Sequence, residues 1–206
     1  MAQTPPAELI WVPAADEYTD EAMSADGLIR VRSLFQMRCA LPLDQPIIES
    51  TREVELRSFD PTTDVDGFLA VNNRAFDWHP EQGGWTREIL EARIAEPWFD
   101  PGGFLIHESE DSTIDGFCWT KVHPATDDDP SMGEIYVIAA DPSAHGTGLG
   151  RALTVGGLVH LAGVGLRVGM LYVEHDNEPA VSLYRRLGFS VHHVDAAYSA
   201  MPTPEP

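Results

Sequence analysis

Only two cysteines, Cys39 and Cys118, occur in 206 residues. Thiols so far apart supply neither a disulfide framework nor a zinc knuckle, and they suit a reduced, cytoplasmic setting. Basic residues are also scarce. Thirteen Lys and Arg stand against 33 Asp and Glu, a formal net charge of −20. No Lys or Arg run interrupts that field, which repels a nucleic-acid backbone and suits a cationic or neutral substrate. A polyanionic ligand would need a local nest of backbone amides. The opening stretch, "MAQTPPAELIWVPAADEYTDEAM", has neither a basic start nor an apolar core, so no secretory leader is expected. No apolar run has the length to cross a bilayer. The eight histidines show no HExxH spacing, and no metal is expected. Hydrophobic content of 43% and charged content of 22% are those of a soluble globular chain with room for one sizeable core.

Residues 1–50 differ from the rest. Leu28 to Ala40 reads as one or two strands among prolines, too little for an independent core, and the segment is expected to be a tail on a main domain spanning 51–206. "VELRSFD" alternates as a strand with Val54, Leu56 and Ser58 on one face. Helical spacing follows, with Val65, Phe68, Leu69 and Phe76, then a second helix with Trp85, Ile89 and Ile94 that ends at Pro97. "GGFLIHES", "DGFCWTKVH" and "GEIYVIAADP" read as three strands. Helix, strand, helix and strand complete the chain in "LGRALTVGGLVHLAGVG", "VGMLYVEHD", "NEPAVSLYRRLG" and "FSVHHVDAAY". The order predicts an α/β fold, a mixed and mostly antiparallel sheet flanked by helices. His192 and His193, adjacent on a strand, are expected on opposite faces.

"DPSAHGTGLGRAL" places Gly146, Gly148 and Gly150 just ahead of a helix. Glycines there mark a tight turn or the close approach of an anion to free amides at a helix start. Gly150 is followed by Arg151 and Ala152, so this is not a Walker loop, and no frame gives the dinucleotide fingerprint. Downstream, Asn177 begins a helix that ends at Gly188, with Tyr184 two turns along the same face.

These two blocks resemble the GCN5-related N-acetyltransferase superfamily. Its Gln/Arg-x-x-Gly-x-Gly/Ala loop is matched by His145, Gly146, Thr147, Gly148, Leu149 and Gly150, departing only at His145. Its Asn-x-x-Ala-x-x-x-Tyr-x-x-x-Gly-Phe block is matched by Asn177, Ala180, Tyr184, Gly188 and Phe189. The resemblance covers Val54 to Tyr198 and implies acetyl-CoA as co-substrate. It places the cofactor on Ile138, Ala139 and Ala140, on His145 to Arg151, and on Asn177, Glu178, Pro179, Ala180, Val181 and Ser182.

"NNRAFDWHPEQGGWT", "EPWFDPGGF" with "GFCWTKVHP", and "GEIYVIAADP" with "LYVEHDN" are further similar to one branch, the mycothiol synthases of actinobacteria. That likeness implies a small-molecule acceptor, desacetylmycothiol. It implies Glu134 as the base that neutralises the acceptor amine, Tyr184 as the acid at the departing thiolate, and Glu81, Lys121, Glu134 and Tyr172 as acceptor contacts. Members of that branch carry two such domains, so residues 1–50 resemble the end of a first one. A monomer without nucleic-acid or membrane partners is expected. Two readings stay open beside it: a sibling acetylating a protein N-terminus or another small amine, and an acyl-CoA-binding module without activity.

Overall fold

The computed structural model describes residues 9–79 and 82–200, and every strand and helix expected from Val65 onward is present in it. The chain begins with β1 (Ile10–Val12), α1 (Glu17–Ala25), β2 (Leu28–Ala40), α2 (Gln45–Glu49) and β3 (Arg57–Ser58). Next come α3 (Val65–Ala75), α4 (Arg87–Ile94), β4 (Phe104–Glu108), β5 (Ile114–His123) and β6 (Met132–Ala140). It ends with α5 (Leu149–Gly163), β7 (Val168–Glu174), α6 (Glu178–Arg186) and β8 (Ser190–Ala200). Two compact units share these elements: residues 9–38 with 172–200, and residues 39–171. The division falls within β2 and β7.

In the first unit β8 pairs antiparallel with β1 on one side and β2 on the other. Leu28 to Ala40 is a single strand, paired with β8 from Leu28 to Arg38. The α1 helix is held at its start by a capping box in which Asp16 and Thr19 exchange hydrogen bonds. Tyr198 donates to Asp20 Oδ1 at 2.6 Å and Arg30 donates to the same carboxylate at 2.8 Å. Asn177 caps α6 by accepting from the Ala180 amide, and Gly188 follows the helix at φ 91°, a conformation that glycine adopts without strain. One expectation fails here. The β2–β8 register skips His192, so the bulge turns its ring toward His193, with the two Nδ1 atoms 3.0 Å apart.

In the second unit β6 runs antiparallel to β5 and parallel to β7, and β5 and β3 flank β4, both antiparallel to it. β5 explains how two layers of helix attach. Its odd residues, Phe117 and Trp119, join Phe68 of α3, Phe104 and Val137 in one fully buried cluster. Its even residues, Gly116, Cys118 and Thr120, face α5: a methyl on Gly116 would lie 2.8 Å from Leu153, and one on Gly157 of α5 would lie 2.5 Å from the Cys118 sulfur. The helix therefore rides directly on the sheet. Burial pushes the thiols of Cys39 and Cys118 up to about 12, and both are free and buried, which makes them packing groups, not nucleophiles.

Two sequence expectations need correction in this unit. The strand read over "VELRSFD" is only Arg57 and Ser58, with Ser58 exposed and Phe59 buried. The antiparallel register would continue to His107 and Glu108 of β4, opposite Leu56 and Glu55, but the pairing stops at Arg57, and the Leu56 side chain packs at Gly156 of α5. In α4 the buried residue is Leu90, while Ile89 is exposed. Among the described residues, no helix is long and apolar enough to cross a membrane.

Candidate active site

β6 delivers the chemistry of the second unit at both of its ends. At its start, Glu134 lies directly across from Lys121 of β5 and is 8% exposed. Its Oε2 lies 2.7 Å from Nε2 of His123, two residues beyond Lys121 on the same face. The Lys121 ammonium is drawn over two aromatic faces, 4.6 Å from the ring centre of Trp98 and 5.4 Å from that of Tyr136. Tyr136 is itself the extra residue of a bulge, where the register steps from Trp119–Val137 to Thr120–Ile135. Tyr136 keeps the face of Glu134, two residues before it, and meets Trp98 and Trp119 edge-on, while the bulge brings Val137 onto that face beside it.

At its end, β6 runs through Ile138, Ala139 and Ala140 into Asp141, which organises the glycine loop. Asp141 accepts from the Ser143 hydroxyl at 2.6 Å, from the Ser143 amide at 3.0 Å, and from Arg74 of α3 at 2.8 Å. The Ser143 bonds, followed by Arg74, hold its carboxyl well below the usual carboxylate range, at about 2. A carboxylate depressed in this way contributes stability that is fully present above its ordinary 3.8 and is lost as pH falls through about 2. The stability gap between the wild type and Asp141→Asn, followed by urea denaturation, should therefore be largest near neutral pH and should close between about pH 4 and pH 2.

The loop then turns through Gly146 at φ 76° and Gly148 at φ 87°, conformations that side chains rarely adopt. Gly150 differs: it lies inside α5, and a methyl placed on it would touch nothing. Neither backbone nor packing requires glycine there, and in a helix it costs about 1 kcal/mol against alanine. Among the described residues the amides of Gly146, Gly148, Gly150 and Arg151 have no hydrogen-bond acceptor. Four free donors at the start of a fifteen-residue helix, with open space above them, fit a phosphate-bearing group such as the pyrophosphate of acetyl-CoA. His145 and Thr147 are exposed, Leu149 is buried, and the Arg151 side chain points away, bonding Thr51, Ser50 and the Ile47 carbonyl. Arg52 donates to the Thr147 carbonyl, a local cation beside the loop in an otherwise acidic chain. Among the described residues, no cluster of His, Cys, Asp or Glu is placed to hold a metal ion.

The remaining described residues singled out in the sequence lie in the first unit. Tyr184, 8% exposed, packs against Phe189 on the inner face of α6. Glu178, Pro179 and Ala180 form the first turn behind Asn177; Val181 is buried, and Ser182 accepts from Arg186. Glu178, Val181 and Ser182 line a cavity of about 630 Å³ together with Phe35, His175 and Arg185. Tyr172 is exposed, its hydroxyl accepting from Gln36 at 2.8 Å. Glu81 lies outside the described residues. His123 and Trp98 escaped the sequence reading. "WTKVHP" contains His123 two residues after Lys121, but its place beside Glu134 depends on a hairpin register that crosses an acidic loop.

Residues 72–189 match the model of the acetyltransferase (GNAT) family. A mycothiol acetyltransferase from Segniliparus rotundus is 43% identical over 196 residues, covering 94% of this chain and 73% of that protein. One from Mycobacteroides abscessus is 51% identical over 173 residues, covering 84% of this chain and 57% of that protein. Several of these curated relatives are thus matched over less than two thirds of their own length. The crystal structure of a GCN5-related N-acetyltransferase from Sphaerobacter thermophilus shares the fold, with a TM-score of 0.72 at 23% identity over 96% of this chain and 61% of that one. Together with the glycine loop and the Asn177–Tyr184 block, these likenesses settle the family: the chain belongs to the acetyltransferase (GNAT) family, among its mycothiol acetyltransferases.

Proposed function

We propose that the protein transfers the acetyl group of acetyl-CoA to the cysteinyl amine of desacetylmycothiol, a cysteinyl-glucosaminyl-inositol, giving mycothiol and CoA. It acts as a cytoplasmic monomer without a metal ion. The observation that carries this reading is a buried carboxylate, Glu134, on the same strand that feeds four free amides at a helix start. The relatives' name supplies the acceptor.

The loop amides, with Arg52 beside them, bind the pyrophosphate, and main-chain groups of Ile138 to Ala140 pair with the pantetheine arm and polarise the thioester carbonyl. Glu134 takes a proton from the acceptor ammonium, directly or through a water, because only the neutral amine is a nucleophile. The amine nitrogen then bonds to the acetyl carbon, a second proton leaves that nitrogen, and the carbon–sulfur bond breaks. Tyr184 donates its hydroxyl proton to the departing thiolate and is reprotonated. Two protons leave nitrogen and one reaches sulfur, so each turnover releases one proton to solvent. Asn177 to Ser182 hold the cofactor further along, while Lys121, Tyr172 and Glu81 contact the hydroxyl-rich acceptor. Lys121, its ammonium fixed on Trp98 and Tyr136, is a pre-placed donor for a sugar hydroxyl.

Thiol release from acetyl-CoA tests the acceptor. Release with desacetylmycothiol, and at most trace release with a protein N-terminal peptide or a plain amino sugar, is the expected pattern. Preferential release with the peptide would move the chain to another acceptor. Binding of acetyl-CoA without release on any amine would make it a binding module.

A further inference from the structure

The His123–Glu134 pair does more than fill space. Burying an ionised carboxylate is costly unless its oxygens find donors. Among the described residues, His123 is the one hydrogen-bond partner that the Glu134 carboxylate has. Lys121, directly opposite, does not serve, since its ammonium is held over Trp98 and Tyr136. An ionised carboxylate only accepts, so the ring nitrogen facing it, Nε2, carries the hydrogen. The His123 side chain is 32% exposed and that of Glu134 only 10%, so the ring stands between the carboxylate and solvent.

We infer that His123 is the positioning residue of the proposed base: its Nε2–H ties down Oε2 of Glu134, fixing the carboxylate so that Oε1 faces the acceptor amine and takes its proton. This rests on the reading of Glu134 as the base. A base that must meet an amine at hydrogen-bond distance gains from having one rotamer, and a single anchored oxygen provides it. His123 touches neither substrate and acts through Glu134 alone. Misplacing a reacting group by about 1 Å can cost on the order of 100-fold.

The test compares kcat and the acetyl-CoA KM for wild type, His123→Phe, His123→Gln, Glu134→Gln and the double variant His123→Phe/Glu134→Gln, with desacetylmycothiol as acceptor. His123→Phe keeps a ring but no donor, and kcat should fall on the order of 100-fold with the acetyl-CoA KM unchanged. His123→Gln, whose amide reaches toward the place of Nε2, should recover most of the loss. On the Glu134→Gln background the Phe substitution should cost nothing more, because residues acting as a unit are not additive. Equal losses in Phe and Gln, or fully additive losses in the double variant, overturn the inference. If Glu134→Gln collapses turnover while His123→Phe matches wild type, His123 alone is misassigned. If Glu134→Gln turns over normally, or wild type releases no thiol, the reading of Glu134 as the base fails and takes His123 with it. The ¹⁵N shifts of the ring, read in the unmodified protein, decide the geometry without any activity. An Nε2–H ring is expected, and a ring protonated only at Nδ1 overturns the inference even if the Phe variant does not fold.

Discussion

Replacing Gly150 by glutamate is expected to abolish acetyl-CoA binding while leaving the fold intact. The position is helical, its Cβ would meet nothing, and an acid in the first turn of a helix is favourable by about 0.3–1 kcal/mol. The apoprotein should therefore melt at or slightly above the wild-type temperature. If the pyrophosphate lies on the amides of Gly146, Gly148, Gly150 and Arg151, the new carboxylate occupies its place and repels it. Calorimetry should then show affinity falling by more than about 100-fold, or about 2.7 kcal/mol. Gly148→Glu is a poorer probe. At φ 87° any side chain strains the backbone, so lost binding there would not separate a blocked nest from a distorted loop. Unchanged binding by Gly150→Glu would place the phosphates elsewhere.

Tyr184→Phe is expected to lower turnover by about 10²-fold or more with acetyl-CoA affinity nearly unchanged, the range of a lost general acid. The ring stays, so its packing against Phe189 stays, and only the hydroxyl is removed. A thiolate leaves more readily than an alkoxide, which puts the expected loss toward the low end of that range. Comparing kcat with the calorimetric Kd checks it. Equal loss in both would make Tyr184 a binding group, and no loss in either would make it a core residue.

Much of this was legible before any coordinates. The helix from Val65, the three central strands and the α5–β7–α6–β8 run each carry their own period, caps and terminating glycines. Their bounds follow from local chemistry. The glycine loop and Tyr184 were visible for the same reason, because their residue types are unusual for their places. What stayed hidden depends on pairing across distance. β3 stops at Arg57, with the Leu56 side chain at Gly156 of α5, and nothing in "VELRSFD" reports that distant contact. His192 and His193 share a face because a bulge forms opposite β2. α1 buries no residue, so its nine residues lack the apolar stripe that marks a helix. His123 meets Glu134, and Lys121 meets Tyr136, through a register fixed on both sides of an acidic loop. Spacing along the chain encodes neither.

The proposed reaction would build an amide on the cysteinyl nitrogen of desacetylmycothiol. Acetyl-CoA labelled with ¹³C at the acetyl carbonyl, incubated with the protein and that acceptor, tests it most directly. The label is expected to leave the thioester and appear as an amide carbonyl on the cysteinyl nitrogen, at a rate that Tyr184→Phe and Glu134→Gln both depress. Label found on a sugar hydroxyl or on the cysteine sulfur, or left on CoA while the loop still binds it, would contradict the account.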